Sequence, residues 1–350
     1  LKSYRDAGGG DLSFDQSRLR RSLELTAGAP IPDDEIAMWI EQLAVDPMAR
    51  GYDWPEQPRQ ERLDDFLVVV IGGGMGGLNA AVHLKRAGIP FVLIEKNGEV
   101  GGTWYENRYP GARLDTTSRN YFHSFGVNFP CPAPFSVQAH NGAYMKWVAD
   151  EFDLRDDIVF GTEVKSSTWD EASATWRIEA QGPDGPRSFE ANAVISAVGF
   201  LNRPNLPDVP GRDSFQGLSL HTAQWPEGLD IKGKRIAVIG SGATGYQMVP
   251  ELAKQAGQLT LFQREPSWCF EAPGYLSPYP PQVNWLDRNL PWFTNFFRFR
   301  SSWLFRPDAT LPRVTVDPDF DDADAVSGLN KAIRDACLAF MRRKLGDRED

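Results

Sequence analysis

The sequence predicts an α/β protein: two doubly wound, Rossmann-like domains, with a helical N-terminal extension and a helical insertion. Two observations carry this. The run "FLVVVIG" (66–72) is a continuous apolar stretch, the pattern of a strand buried on both faces of a parallel sheet, and "RIAVIG" (235–240) opens a second unit of the same order. Each enters a glycine cluster and then apolar residues at helical spacing, "LNAAVHLKRAG" and "YQMVPELAKQAG". A second strand follows each helix, "PFVLIE" and "LTLFQ". Strand, helix and strand in this order form a βαβ unit, and two copies imply two doubly wound domains. The length of 350 residues suits two or three domains.

The elements follow in chain order. Residues 1–63 form an extension. "SRLRRSLELTAG" and "PDDEIAMWIEQLA" have helical spacing, the second opening on Pro-Asp-Asp, a good helix start. "VDPMARGYDWPEQPRQERL" has little periodicity and several prolines, and reads as a linker. The first doubly wound domain is assigned to 64–204. It includes "SSTWDEASATWRIEA", a hairpin, and "RSFEANAVISAVG", which ends in an apolar strand. The second is assigned to 205–350 and carries the aromatic stretch "NWLDRNLPWFTNFFRFRSSWLF" (284–305). That stretch could contact membrane or line a tunnel. The preferred reading is an amphipathic helical insertion packed against a region beyond this sequence, with Arg298 and Arg300 excluding a membrane span.

Composition narrows the function classes. A net charge of −10, from 47 acidic and 37 basic residues, argues against a general nucleic-acid binder. Cys131, Cys269 and Cys337 have no CxxC spacing, so neither a disulfide framework nor a zinc site is expected, and the location reads as cytoplasmic. No apolar run approaches the roughly 18 residues of a membrane span. His83 and His123 read as structural, and His140 has no evident partner. "DPDFDDADA" (317–325) lacks the Gly and terminal Glu of a calcium loop. No metal is expected.

Gly72, Gly74 and Gly77 form G-x-G-x-x-G between strand and helix. The first permits a tight turn, the second a close backbone approach to a pyrophosphate, and the third close helix–strand packing. The helix N-terminus adds free N–H groups and partial positive charge. Glu95 ends the next strand, 23 positions after Gly72, where a carboxylate can accept from ribose hydroxyls. Gly240, Gly242 and Gly245 repeat the motif. The same 23 positions lead to Gln263, followed by Arg264. A carboxylate there would repel a ribose 2′-phosphate, whereas a guanidinium pairs with it. The first cradle therefore suits FAD or NAD and the second NADP, although Glu265 beside Arg264 weakens the second assignment. Two cradles in one chain imply a flavin and a nicotinamide that exchange hydride.

Two further motifs carry a resemblance. "GGTWYENRYPGARLD" (101–115) fills G-G-x-W-x-x-x-x-Y-P-G-x-x-x-D with Gly101, Gly102, Trp104, Tyr109, Pro110, Gly111 and Asp115. "FQGLSLHTAQWP" (215–226) fills Phe-x-Gly-x-x-x-His-x-x-x-Trp-Pro with Phe215, Gly217, His221, Trp225 and Pro226. With both beside two glycine cradles, the chain resembles the Baeyer–Villiger monooxygenases among the flavin-containing monooxygenases. The helical extension resembles that of the 4-hydroxyacetophenone monooxygenase branch. The resemblance implies FAD and NADPH as cofactors. In the implied cycle NADPH reduces FAD, O2 gives a C4a-peroxyflavin, and the peroxide converts a ketone to an ester or lactone. It implies that Asp115 orients an active-site arginine, that Trp104 packs near the flavin, and that His221 and Trp225 couple nicotinamide binding to domain movement rather than do bond chemistry, the alternative being that they only pack the hinge. It adds Gly102, Thr103, Tyr121 and Thr244 as cofactor contacts. Arg113 could neutralise phosphate or Asp115, or lie in a surface ion pair. The family's catalytic Gly-Lys-Arg beyond the second cradle has no match before Asp350, and "GKR" at 233–235 opens a strand. The expectation is therefore a chain that stops short of that arginine. A non-catalytic dinucleotide-binding fragment and an N- or S-oxygenating enzyme are the alternatives, the latter disfavoured by Trp225-Pro226. The partners expected are a ketone and O2, and homodimerisation is left open.

Overall fold

The structure is a computed structural model and describes residues 15–265, 267–346 and 348. Residues 1–14 of the expected extension lie outside the described residues.

The helices α1 (Gln16–Ala27), α2 (Ile36–Gln42) and α3 (Gln60–Asp64) come first. Then follow β1 (Val68–Ile71), α4 (Met75–Arg86), β2 (Phe91–Ile94), α5 (Thr103–Glu106), α6 (Ser118–Tyr121) and α7 (Gln138–Glu151). The middle of the chain contributes β3 (Ile158–Val159), β4 (Glu163–Asp170), β5 (Thr175–Gly182), β6 (Gly185–Ala191) and β7 (Ala193–Ser196). The remainder holds β8 (Arg235–Ile239), α8 (Ala243–Ala253), β9 (Gln258–Phe262), α9 (Pro281–Asn289), α10 (Phe293–Leu304), α11 (Pro307–Thr310) and α12 (Gly328–Leu345). The chain divides into two compact units.

One unit comprises residues 50–114 and 137–262. Its main sheet is parallel, in the order β3-β2-β1-β7, with Val69 opposite Val92 on one side and Val194 on the other. β1 is central, which is why "VVVI" is apolar on both faces: Val68, Val69 and Val70 are buried. The expected hairpin is β4–β5, extended by β6 into an antiparallel sheet, with Trp169 and Trp176 paired across it at 5.5 Å. Ile178 and Ala191 of that sheet share a core with Val69 and Ile94. The second βαβ unit is present as the parallel pair β8–β9 with α8 between. "GKR" does open β8. The expected linker is anchored to the first βαβ unit, since the Trp54 indole donates to the Ala87 carbonyl at 2.7 Å and Arg86 pairs with Asp53 at 2.9 Å.

The other unit comprises residues 15–49, 115–136 and the described residues from 263 onward. Here the structure corrects the reading of the aromatic stretch. It folds as two helices, α9 and α10, broken at Leu290–Trp292, where Trp292 has φ 62°. It packs on the N-terminal extension rather than awaiting a partner from elsewhere: Phe299 and Trp303 join Leu19, Leu23, Ile31, Trp39 and Leu43 in one core. The rings of Trp39 and Trp303 stand 5.1 Å apart. Both arginines are absorbed locally. Arg298 is buried and donates to the Arg119 and Phe122 carbonyls at 2.7 and 2.6 Å. Arg300 donates to the Thr26 and Ala27 carbonyls at the end of α1. No helix among the described residues is long and apolar enough to cross a membrane.

Candidate dinucleotide-binding site

Both glycine cradles lie in the unit formed by 50–114 and 137–262. In the first, the Gly72 N–H donates to the Ile94 carbonyl at 2.8 Å, so the turn leaves β1 while still tied to β2. A Cβ on Gly72 would meet the Ala197 carbonyl oxygen at 2.7 Å, and one on Gly77 would meet the Gly72 carbonyl oxygen at 1.8 Å. Only glycine fits at either position, and the helix α4 therefore starts hard against the strand. Glu95 is buried at the tip of β2. One carboxylate oxygen accepts from the Gly73 N–H at 2.6 Å, and the other from the Asn97 main-chain and side-chain N–H groups, both at 2.8 Å. A carboxylate offers about four acceptor positions, so Glu95 holds the turn and keeps acceptor capacity for a ribose hydroxyl. The turn-holding role was not legible in the sequence.

The segment from Gly101 to Arg113 bridges the two cradles. At its start, the Gly101 N–H donates to the Gly73 carbonyl at 2.9 Å, and a Cβ on Gly102 would stand 3.0 Å from the Gly74 Cα. The paired glycines of the motif are thus needed for a backbone-on-backbone approach to the first cradle. Thr103 and Trp104 begin the short α5. Trp104 is buried and its carbonyl accepts from the Gln138 amide. At the other end, the turn "YPGAR" lies on α8. The Tyr109 hydroxyl donates to the Gln247 side-chain oxygen at 2.9 Å. The Arg113 N–H donates to the same oxygen at 3.2 Å, and the Gln247 amide N–H donates back to the Arg113 carbonyl at 3.1 Å. Gly111 has φ 85°, and a Cβ there would stand 2.4 Å from the Gln247 main-chain oxygen.

In the second cradle the Gly240 N–H donates to the Phe262 carbonyl at 2.8 Å, repeating the first. Gly245 repeats Gly77, its absent Cβ 2.4 Å from the Gly240 oxygen. No atom lies within 4 Å of where Cβ atoms of Gly240 or Gly242 would stand, so the outer side of the turn is open. Thr244 is the second residue of α8. Arg264 follows β9 in the chain. Its side chain is 94% exposed and stands 3.8 Å from Glu265, geometry that leaves the guanidinium accessible to an anion.

The fingerprint 215–226 meets the same scaffold at one end only. Phe215 is exposed. His221 caps a short 3₁₀ turn, its Nδ1 accepting from the Ala223 N–H at 3.1 Å. Trp225 packs against a core made by Tyr109, Ala112, Ile231, Val238, Met248 and Leu252. The bridging segment, the fingerprint tryptophan and the helix of the second cradle therefore share one core. Trp225 and Pro226 also line an open cleft of about 570 Å³ together with Trp104, Arg108 and Gln138.

Asp115 and Tyr121 belong to the other unit. Asp115 is exposed and accepts from the Tyr275 hydroxyl at 2.9 Å, with the Tyr275 ring against Phe135 at 5.1 Å. Tyr121 ends α6, next to a buried ion pair that sequence reading did not find. Arg119 holds Asp287 bidentately at 2.9 and 2.6 Å and lies over the rings of Tyr279 and Phe297. Burial alone would lower the Arg119 pKa, but the hydrogen bonds and charge of Asp287 outweigh it and raise it. Burial pushes the neighbouring Cys131 thiol up. His83, on α4, is pushed down by burial and then by Arg86. None of Cys131, Cys269 and Cys337 is in a disulfide. No group of three His, Cys, Asp or Glu residues able to hold a metal occurs among the described residues.

This geometry has counterparts. Residues 69–282, more than half of the chain and spanning both cradles, match the pyridine nucleotide-disulphide oxidoreductase family. The chain belongs to that family and, within it, with the flavin-dependent Baeyer–Villiger monooxygenases. A Baeyer–Villiger monooxygenase of Streptomyces coelicolor is 46% identical over 202 residues, covering 57% of this chain and 38% of that protein. An uncharacterized monooxygenase of Sinorhizobium fredii is 32% identical over 342 residues, 97% of this chain and 50% of that protein. The crystal structure of the OTEMO complex with FAD and NADP superposes with a TM-score of 0.58 at 34% identity, over 69% of this chain and 44% of that one. The chain thus spans about half the length, or less, of the relatives it matches. The disulphide in the family name has no counterpart in its three cysteines, which have no CxxC spacing.

Proposed function

We propose that this chain binds FAD in the first cradle and NADPH in the second, and serves an O2-dependent monooxygenase that converts ketones to esters or lactones. The observation that carries the reading is the pair of glycine cradles in one compact unit, joined by the 101–113 segment. In each, a Cβ on the third glycine would collide with the turn, and an α-helix of more than ten residues begins at the motif. That is the space and the donor set a pyrophosphate needs.

The residues divide the work as follows. Gly72, Gly74 and Gly77 bring backbone to the FAD pyrophosphate, and Glu95 accepts from its ribose. Gly240, Gly242, Thr244 and Gly245 do the same for NADPH, with Arg264 pairing with the 2′-phosphate. Bound FAD would supply the redox chemistry: hydride acceptance from NADPH and activation of O2. Gly102, Thr103 and Trp104 contact the flavin and exclude water, and Tyr121 is a further proposed cofactor contact. Asp115 orients a cationic group in this reading, which its bond from Tyr275 supports, and Arg113 supplies a charge of its own. Trp225 transmits nicotinamide binding through the core it borders, with His221 capping the turn that leads to it. The domain division 64–204 and 205–350 goes with this reading. So does membership of the 4-hydroxyacetophenone monooxygenase branch, supported by the helices α1 and α2 of the N-terminal extension. A cytoplasmic location is supported by three cysteines that are not in disulfides.

The test is product analysis. FAD-loaded protein is given NADPH, isotopically labelled O2 and a cyclic ketone, with a tertiary amine in a parallel reaction. A lactone carrying one labelled oxygen supports the proposal. Amine oxide without lactone replaces it with N-oxygenation, and NADPH oxidation without any oxygenated product refutes it.

A further inference from the structure

We propose that Gln247 is a positioning residue: its side-chain amide fixes the Tyr109–Arg113 turn on the helix of the second cradle and so holds the 101–113 segment in register between the two dinucleotide sites. The consequence for nucleotide binding rests on the proposed function, whereas the fixing itself rests on geometry alone.

Four observations converge on this residue. First, Gln247 is buried on the inner face of α8, two residues after the last cradle glycine. Second, its amide works in both directions. The oxygen takes the Tyr109 hydroxyl and the Arg113 N–H, and the nitrogen gives a proton to the Arg113 carbonyl. A carboxylate could not make the last bond and an ammonium could not make the first two, so glutamine fits a position where glutamate or lysine would leave a buried group unmatched. Third, the missing Cβ of Gly111 lets the turn sit on the Gln247 main chain. Fourth, Tyr109 and Ala112 share a core with Met248 and Leu252 of the same helix. The other end of the segment, at Gly101 and Gly102, touches Gly73 and Gly74. A displacement of α8 when the second cradle fills therefore reaches the backbone of the first cradle through thirteen residues held at both ends.

The test is hydrogen exchange on the full chain with and without NADP+, for wild type, Gln247→Leu and the milder Tyr109→Phe. Without nucleotide, the amides of Ala112 and Arg113 should exchange roughly tenfold faster in Gln247→Leu, with less acceleration in Tyr109→Phe, while the β4–β6 amides keep wild-type rates. With NADP+, wild type should show slowed exchange at 111–113 and at Gly101 and Gly102. Gln247→Leu should still bind NADP+ but lose the slowing at Gly101 and Gly102, which a purely local packing role would leave intact. Wild-type exchange at 111–113 in both variants overturns the proposal, as does retained slowing at Gly101 and Gly102 in Gln247→Leu. If Gln247→Leu does not fold, Tyr109→Phe decides alone, with acceleration at 111–113 supporting and wild-type rates overturning. Failure of wild type to bind NADP+ refutes the nucleotide reading instead, and the rates without nucleotide still decide the positioning role.

Discussion

Replacing Gly111 by alanine tests the junction between the bridging segment and α8 through two separable effects. The first is conformational: Gly111 has φ 85°, and an L-residue held in the left-handed region costs about 1–2 kcal/mol. The second is steric. The new methyl would stand 2.4 Å from the Gln247 carbonyl oxygen and 3.0 Å from the Glu251 Cγ. The oxygen belongs to the helix backbone, so no rotamer change relieves it, and overpacking of this kind costs about 1–3 kcal/mol. The sum is about 2–5 kcal/mol. For a unit of about 190 residues, each kcal/mol shifts Tm by roughly 2–4 °C, so the predicted loss is about 4–20 °C. The control is Gly88→Ala in the same unit. Gly88 also has positive φ, 67°, but nothing within 4 Å of its missing Cβ, so it carries the conformational cost alone. Differential scanning calorimetry of both variants isolates the steric part as the difference between them. Equal losses in Tm would refute the close approach of the turn to α8.

Two further outcomes follow from particular residues. Arg264→Ala should raise KM for NADPH by about 10- to 150-fold, with the lower end favoured by its exposure, while sparing NADH; equal losses for both would remove the 2′-phosphate assignment. Asp322 has its pKa lowered to about 2, first by the Asp324 N–H and then by Lys331. A carboxyl depressed on folding adds stability above its unfolded pKa of about 3.9 and loses it as pH falls toward the folded value. Acid titration of Asp322→Asn should therefore show a shallower stability loss between pH about 4 and about 2, measured by circular dichroism, and a slope identical to wild type would contradict the ion cluster at Lys331 and Arg334.

The sequence disclosed what is encoded within a few residues of itself. Both βαβ units, the hairpin and both glycine turns were legible because period and punctuation are local. Gln247 was not: it reads as one polar residue in an amphipathic helix, and its partners lie 138 and 134 residues away. The only hint was Gly111, which after Pro110 reads equally well as the left-handed position of an ordinary turn. Tyr275 beside Asp115 and the Arg119–Asp287 pair were hidden for the same reason, with separations of 160 and 168 residues. The aromatic insertion was read as apolar surface needing cover, which is correct, but periodicity cannot name the cover. That turned out to be the extension at the opposite end of the sequence, through Trp39 and Leu43. Glu95 was found as an acid at a strand tip, whereas its grip on the Gly73 N–H requires the folded turn.

The central claim is that one chain holds a flavin in its acid-tipped cradle and a phosphorylated nicotinamide in the other, close enough for hydride to pass. The most direct measurement is anaerobic titration of the FAD-loaded protein with NADPH and, separately, NADH, following the flavin absorbance. The account predicts stoichiometric bleaching by NADPH at concentrations well below those NADH requires. Protein that takes up no FAD, or flavin that NADPH leaves oxidised, would contradict it.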